Sequence, residues 1–198
     1  MEYNKFKYLY PPRPKNQILP GMLEFYEKRK WWAQIKKNGT CSIICVSPDK
    51  TITHMTRHND MHKMWTPSKE VNEPLLQLPN KWYYFCGELI NSKVPGIRNK
   101  MYLFDCLVCD NEYLIGAKYN KRYNILKSLF RVSSNTSQYD IVNDNVWIAN
   151  NYNIGFEAIY RSLSNPEDEG IVIKDPNANL EACRNDGCNS SWQAKCRR

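Results

Sequence analysis

Trp31-Trp32-Ala33-Gln34-Ile35-Lys36-Lys37-Asn38-Gly39 is a strand-like run that ends on two lysines and a favoured tight-turn dipeptide. Cys41 to Val46 supplies the return strand, Pro48-Asp49-Lys50 the next turn, and Thr51 to Arg57 a further strand, so a β-meander is expected. Trp82 to Ile90 is again aromatic and strand-like. Met101 to Val108 and Glu112 to Ile115 flank Asp110-Asn111 as a hairpin, and strands follow near Val146-Trp147-Ile148, from Gly170 to Lys174 and from Trp192 to Arg197. Between them lie helical segments. Met22 to Arg29 can form a short helix, and Ser68 is placed to cap the helix that starts at Lys69-Glu70-Val71. Tyr119, Tyr123, Leu126 and Phe130 recur at helical period, and Phe156, Ile159, Tyr160 and Leu163 mark the last helix. Many short strands with a few separate helices imply an α+β fold with antiparallel sheets rather than alternating βαβ units.

The chain opens with Tyr8-Leu9-Tyr10-Pro11-Pro12-Arg13-Pro14 and reaches Pro20-Gly21. Proline fixes φ and removes backbone donors, so residues 1–21 read as an extended arm and 22–198 as one domain. Length agrees, since 198 residues leave room for one full core. At 42% hydrophobic residues the chain is too apolar to be disordered. No apolar stretch approaches the ~18 residues needed to cross a bilayer, and the basic N-terminus lacks the apolar region of a signal peptide. An intracellular, cytoplasmic protein with no membrane partner is expected. Eight cysteines then read as reduced small hydrophobes rather than a disulfide framework. Cys106-Leu107-Val108-Cys109 with Cys183 and Cys188 has zinc-like spacing, but close pairs on a strand face different ways, which argues against it. His54, His58 and His62 read as satisfied or exposed side chains.

The balance of 28 Lys+Arg against 20 Asp+Glu gives a net charge of +8, which together with 13 Tyr and 6 Trp suits a polyanion partner. Lysine and arginine neutralise phosphates while aromatics stack on bases.

Lys36-Lys37-Asn38-Gly39 alone is a charged hairpin corner. Its weight comes from segments that follow in fixed order: Thr56-Arg57, Gly87-Glu88-Leu89, Phe104-Asp105-Cys106-Leu107, Glu169-Gly170-Ile171-Val172-Ile173-Lys174 and Trp192-Gln193-Ala194-Lys195-Cys196-Arg197. In this order they resemble the covalent nucleotidyltransferase superfamily of ATP-dependent DNA ligases, RNA ligases and mRNA-capping guanylyltransferases. The resemblance runs from Gln34 to Arg197 and is strongest to short phage-type polynucleotide ligases.

The resemblance implies two twisted antiparallel sheets with flanking helices and a nucleotide in the cleft between them. It implies Lys36 as the nucleophile that forms lysyl-AMP, Gln34 and Ile35 at the nucleotide, and Arg57 on phosphate. Glu88 is then expected on the ribose, Phe104 stacked on the purine, Glu169 at Mg²⁺, and Lys174, Lys195 and Arg197 on phosphate. ATP and Mg²⁺ are the implied cofactors, and DNA or RNA with 5′-phosphate ends the implied partner of a monomer, encoded by a phage or virus. Chemistry needs the same residue types: the lysine must lose its proton to attack phosphorus, and neighbouring cations disfavour its charged form.

Asn38 departs from the family's aspartate, and Cys41 from an arginine found in DNA ligases. Gln34 replaces a common glutamate, though its carbonyl can still accept from an adenine amino group. No OB-fold segment follows Arg197, so the expectation is that the basic surface itself holds the strand, that a separate clamping partner does, or that the sequence is cut short of that domain. A guanylyltransferase and a silent nucleic-acid-binding domain of the same fold are the alternatives. Asp105 is expected to orient Arg57 or Lys174 or to form a salt bridge, Arg122 to be structural, and Arg13 and Lys15 on the arm to touch the polynucleotide.

Overall fold

In the computed structural model, which describes residues 1–183, 185 and 187–198, the chain on either side of Asn38-Gly39 does not fold back as a hairpin. In chain order the strands are β1 (Asn16–Gln17), β2 (Trp32–Lys37), β3 (Thr40–Val46), β4 (Ile52–Thr56), β5 (Tyr83–Ile90), β6 (Lys100–Cys109) and β7 (Glu112–Tyr113). They continue as β8 (Ser134–Asn135), β9 (Tyr139–Asn143), β10 (Val146–Ala149), β11 (Asn151–Tyr152), β12 (Asp168–Lys174) and β13 (Gln193–Arg197). The helices are α1 (Leu23–Lys28), α2 (Lys69–Leu76), α3 (Tyr119–Leu129) and α4 (Phe156–Ser162).

One sheet has the order β1-β13-β12-β2-β11, the other β4-β3-β5-β6-β10-β9-β8 with β7 beside β6. Both edges of β2 are taken by β12 and β11, and both edges of β3 by β4 and β5. A type I′ hairpin requires positive φ at both central residues, and neither Asn38 nor Gly39 has it. The expected meander is therefore split, with Asn38-Gly39 carrying the chain from one sheet to the other. Gly39 is needed for close approach: a Cβ there would collide with the Leu89 carbonyl oxygen and with Glu88 Cγ. By contrast Asp110 and Asn111 have φ of 52° and 72°, so the expected tight hairpin forms between β6 and β7.

Two sheets with flanking helices match the sequence expectation, with two refinements among the described residues. β10 runs parallel to β6 and β1 parallel to β13, while the other ladders are antiparallel. The parallel pair β6–β10 arises because the chain between them passes through α3 and returns by the β8–β9 ribbon, a crossover that a hairpin cannot supply.

Central strand β6 is covered on both faces. Leu103 and Cys106 pack with Val71 and Leu75 of α2, Leu126 of α3 and Phe130 just beyond it, while Leu107 and Val108 pack with Tyr3, Ile43 and Tyr84. On the five-stranded sheet, Ala33, Ile35, Ile171 and Ile173 pack under Leu23 and Phe156 of α1 and α4. Fully burying such a side chain is worth roughly 1.5–3 kcal/mol, enough for α2 to tolerate Pro74 inside it. Ser68 occupies its N-cap position but makes no side-chain cap bond, contrary to the sequence reading.

Residues 1–21 lie as extended chain against the domain, ending in a 3-10 turn at Pro20–Met22. Tyr3 is 1% exposed among Trp82, Tyr84 and Tyr113.

Candidate active site

The two sheets enclose a cleft of about 940 Å³ lined by all the residues expected at the nucleotide or metal: Gln34, Ile35, Lys36, Arg57, Glu88, Phe104, Glu169, Lys174, Lys195 and Arg197. A volume of that size suits a nucleotide-scale ligand. Register explains how distant segments meet there. On the five-stranded sheet Lys36, Gly170 and Arg197 stand in one row, and Gln34, Val172 and Lys195 two rows on. Ile35, between Gln34 and Lys36, turns its side chain into the core, so any ligand contact falls to its main chain.

Glu169 is placed by an irregularity. The β2–β12 register shifts between Asp168 and Gly170, leaving Glu169 as the extra residue of a bulge. Bulges re-aim side chains that strict alternation would send elsewhere. Its Oε2 accepts from Lys36 Nζ, and its Oε1 from Arg197 Nε at 2.6 Å. Gly170 is required beside it: φ is 147°, and a Cβ would collide with the Cys196 carbonyl oxygen. Lys195 sits next to this cluster, where desolvation and then the charges of Arg197, Lys36 and Arg13 hold its ammonium below the usual lysine range, opposed only by Glu169.

Glu88 faces Lys36 from β5 across the cleft. Desolvation pushes its carboxyl up to about 7, partly offset by the charges of Lys36 and Lys93 and reinforced by Glu169. Lys93 Nζ donates to the Gly39 carbonyl, tying the following loop to the sheet-crossing point.

The other end of the cleft is aromatic. Phe104 is also the extra residue of a bulge, because Cys86 pairs with Asp105 and Gly87 with Leu103. The alternation of Phe104 with Cys106 is thereby broken: Cys106 enters the core, while Phe104 lines the cleft with Lys174 Nζ 5.0 Å from its ring centre. Lys174, expected on phosphate, is 3% exposed and donates to Gln34 Oε1 at 2.8 Å and Tyr119 Oη at 3.1 Å. Burial lowers its pKa to about 8, the Asp105 charge resisting. The Gln34 carbonyl therefore already accepts one hydrogen bond, and its second lone pair is what a base could use.

Asp105 pairs with Arg122 rather than with Arg57, and Arg122 thereby gains the carboxylate partner that sequence alone left unnamed. Arg57 is the exposed first residue after β4, at the cleft mouth, donating from Nε to His58 at 3.0 Å. Lys37, next to the candidate nucleophile, is buried with its ammonium on Asp168 at 2.6 Å, away from the Glu169 that holds Lys36.

Sequence reading missed two contributors. Tyr119 looked like part of an apolar helix face, yet its hydroxyl joins Gln34, Lys174 and the Phe104 carbonyl. Arg13, expected on the polynucleotide, lines this cleft; its flanking prolines were the available signal. His54 is bonded to Asn72 and His62 to Ser42.

For a metal, no group of three or more His, Cys, Asp or Glu side chains comes together among the described residues. Mg²⁺ usually takes one or two carboxylates, with substrate phosphates and water completing its shell. The Glu169 carboxylate, in a cleft walled by lysine and arginine side chains, fits that demand.

Comparison with known proteins bears on the family and the fold. A family model described as the ATP dependent DNA ligase domain matches residues 87–187, which include Glu88, Phe104, Glu169 and Lys174 but not Lys36. No curated protein matches the chain significantly. Among solved structures, the ligase domain of M. tuberculosis LigD is similar with a TM-score of 0.66 at 15% identity, over 97% of this chain and 61% of that one. The ATP-dependent DNA ligase of bacteriophage T7 in complex with ATP gives 0.51 at 14% identity, over 92% and 67%. A Lig E DNA ligase gives 0.53 at 14%, over 85% and 62%. The chain thus spans about three fifths of the length of the LigD domain it resembles.

Proposed function

We propose that this protein, which belongs to the family of ATP-dependent DNA ligase domains, is an ATP-dependent polynucleotide ligase working through a lysyl-AMP intermediate on Lys36. The observation that carries the reading is the placement of Lys36 Nζ on Glu169 beside Arg197 and Lys195, in a cleft whose opposite end offers Phe104. One end suits phosphates and the other a base.

In the first step the Lys36 ammonium gives its proton to solvent and the free Nζ attacks the α-phosphorus of ATP. The Nζ–P bond forms, the bond from that phosphorus to the bridging oxygen breaks, pyrophosphate leaves, and Nζ releases its second proton to solvent to give the phosphoramidate. Lys195 and Arg197 neutralise charge on the phosphoryl oxygens by position and electrostatics. Phe104 stacks on the purine, Lys174 and Tyr119 hold Gln34 in place against its edge, and Glu88 takes the ribose hydroxyls. Arg57 at the mouth contacts phosphate. Glu169 would hold Mg²⁺, which when bound would supply further charge neutralisation on the phosphates. AMP then passes to a 5′-phosphate end, and attack by a 3′-hydroxyl joins the strands and releases AMP.

The substrate is DNA or RNA with 5′-phosphate ends, met inside a cell, possible for a chain with no helix long and apolar enough to cross a membrane among the described residues. The +8 charge supports a polyanion.

Incubation with α-labelled ATP or GTP and Mg²⁺, denaturing electrophoresis and peptide mapping test the reading. Label from ATP on Lys36, absent in Lys36→Ala, is expected. Preferential label from GTP would make the protein a guanylyltransferase, and no label from either would make it a silent binding domain.

A further inference from the structure

The proline-rich arm spans the cleft from one sheet to the other. At its upstream end the Leu9 N–H donates to Tyr84 Oη at 2.8 Å, Tyr84 Oη donates back to the Leu9 carbonyl at 3.0 Å, and Tyr8 Oη donates to the Thr56 carbonyl at 3.1 Å. These anchors belong to the eight-stranded sheet. At its downstream end β1 pairs with β13, and the Ile18 N–H donates to the Lys195 carbonyl at 2.9 Å. Between the anchors Pro11 and Pro12 are buried, and residues 11–15 line the cleft.

This segment is stiff for covalent reasons. Pro11, Pro12 and Pro14 each fix φ, and a residue followed by proline, as Arg13 is, is driven to extended backbone. A cation carried there loses little conformational entropy when a ligand arrives. Arg13 is half-buried with its Nε shielded from solvent, and its charge acts on Lys195. It therefore extends the cationic wall of Lys36, Lys195 and Arg197 rather than the aromatic end around Phe104. A guanidinium offers planar donors that match phosphate oxygens.

We propose that Arg13 is a phosphate-binding residue of the nucleotide site, contacting the β- and γ-phosphates that leave as pyrophosphate. The inference rests on the ligase reading and adds to it a group outside the ordered segments. It assigns the arm to the first chemical step instead of to strand binding.

Arg13→Ala, Arg13→Lys and the exposed-arm control Lys5→Ala are compared with wild type in single-turnover adenylation, in equilibrium binding of ATP against AMP, and in sealing of a pre-adenylated strand. Arg13→Ala is expected to raise the ATP concentration for half-maximal adenylation by about 10- to 100-fold. AMP affinity and pre-adenylated sealing stay at wild-type levels, Arg13→Lys lies between, and Lys5→Ala is unchanged. ATP affinity unaltered in Arg13→Ala, or ATP, AMP and sealing all lost together, would overturn the assignment. Failure of wild type to label Lys36 would overturn the ligase reading instead, while selective loss of ATP over AMP binding in Arg13→Ala would still uphold the phosphate contact.

Discussion

Arg122 donates from Nε and Nη2 to the two carboxylate oxygens of Asp105, each at 3.0 Å, with both side chains sealed from solvent. This bidentate pair ties α3 to β6 one residue after Phe104, so it fixes the strand that carries the aromatic end of the cleft. Asp105 also accepts from the Cys106 N–H, and Arg122 donates to the Ala117 carbonyl, which leaves few of their polar groups unpaired. The Asp105 charge favours the ammonium of buried Lys174, and the Arg122 charge opposes it.

Arg122→Leu should destabilise the fold by about 3–5 kcal/mol, because it strands a buried carboxylate. The double variant Asp105→Asn with Arg122→Met should recover much of that loss, since no charge is then left alone. Urea denaturation of the three proteins measures both effects. Equal loss in the single and double variants would mean that packing, not charge pairing, holds α3 in place.

The raised pKa of Glu88 sets a pH dependence with a definite sign. The folded carboxyl holds its proton up to about 7, whereas the unfolded one releases it near 4.5. Between those values the folded state binds more protons, so the Glu88 contribution to stability falls as pH rises through that window and is flat above it. The slope is at most about 1.4 kcal/mol per pH unit. Denaturation of wild type and Glu88→Gln at pH 4.5, 6 and 7.5 isolates it by difference; parallel profiles for the two proteins would refute it.

Gly39→Ala should cost about 1–3 kcal/mol and most of the adenylation, because the new Cβ pushes on Leu89 and Glu88 at the crossing point that also seats Lys36. Gly21→Ala is the matched control, since a Cβ there meets nothing within 4 Å. Thermal unfolding and nucleotide labelling report the two losses separately. A Gly39→Ala protein with wild-type labelling would show that the close approach does not position the lysine.

Much of this architecture is readable along the chain because its causes are local. Apolar spacing at helical period places α3, and Asp110-Asn111 can adopt the positive φ that its hairpin needs. Asn38-Gly39 carries the same kind of turn signal but misleads, because a favoured dipeptide states only what the backbone can do. The strands beside β2 come from more than a hundred positions further along the chain, those beside β3 from within about fifty, and these neighbours occupy the edges the turn would need to close.

The sequence by itself determined which residue types are available in order: a lysine ahead of a glycine, then carboxylates, an aromatic and paired cations at strand ends. Only the tertiary structure decided where they point. Glu169 and Phe104 each reach the cleft from a bulge, and a bulge is created by the register between two strands rather than by the strand that bears it. Arg13 likewise joins Lys195 because pairing across β1 and β13 brings chain ends 182 residues apart into one wall. Periodicity along one strand carries no information about the partner it will be registered against, which is the physical reason these placements emerge only in the folded protein.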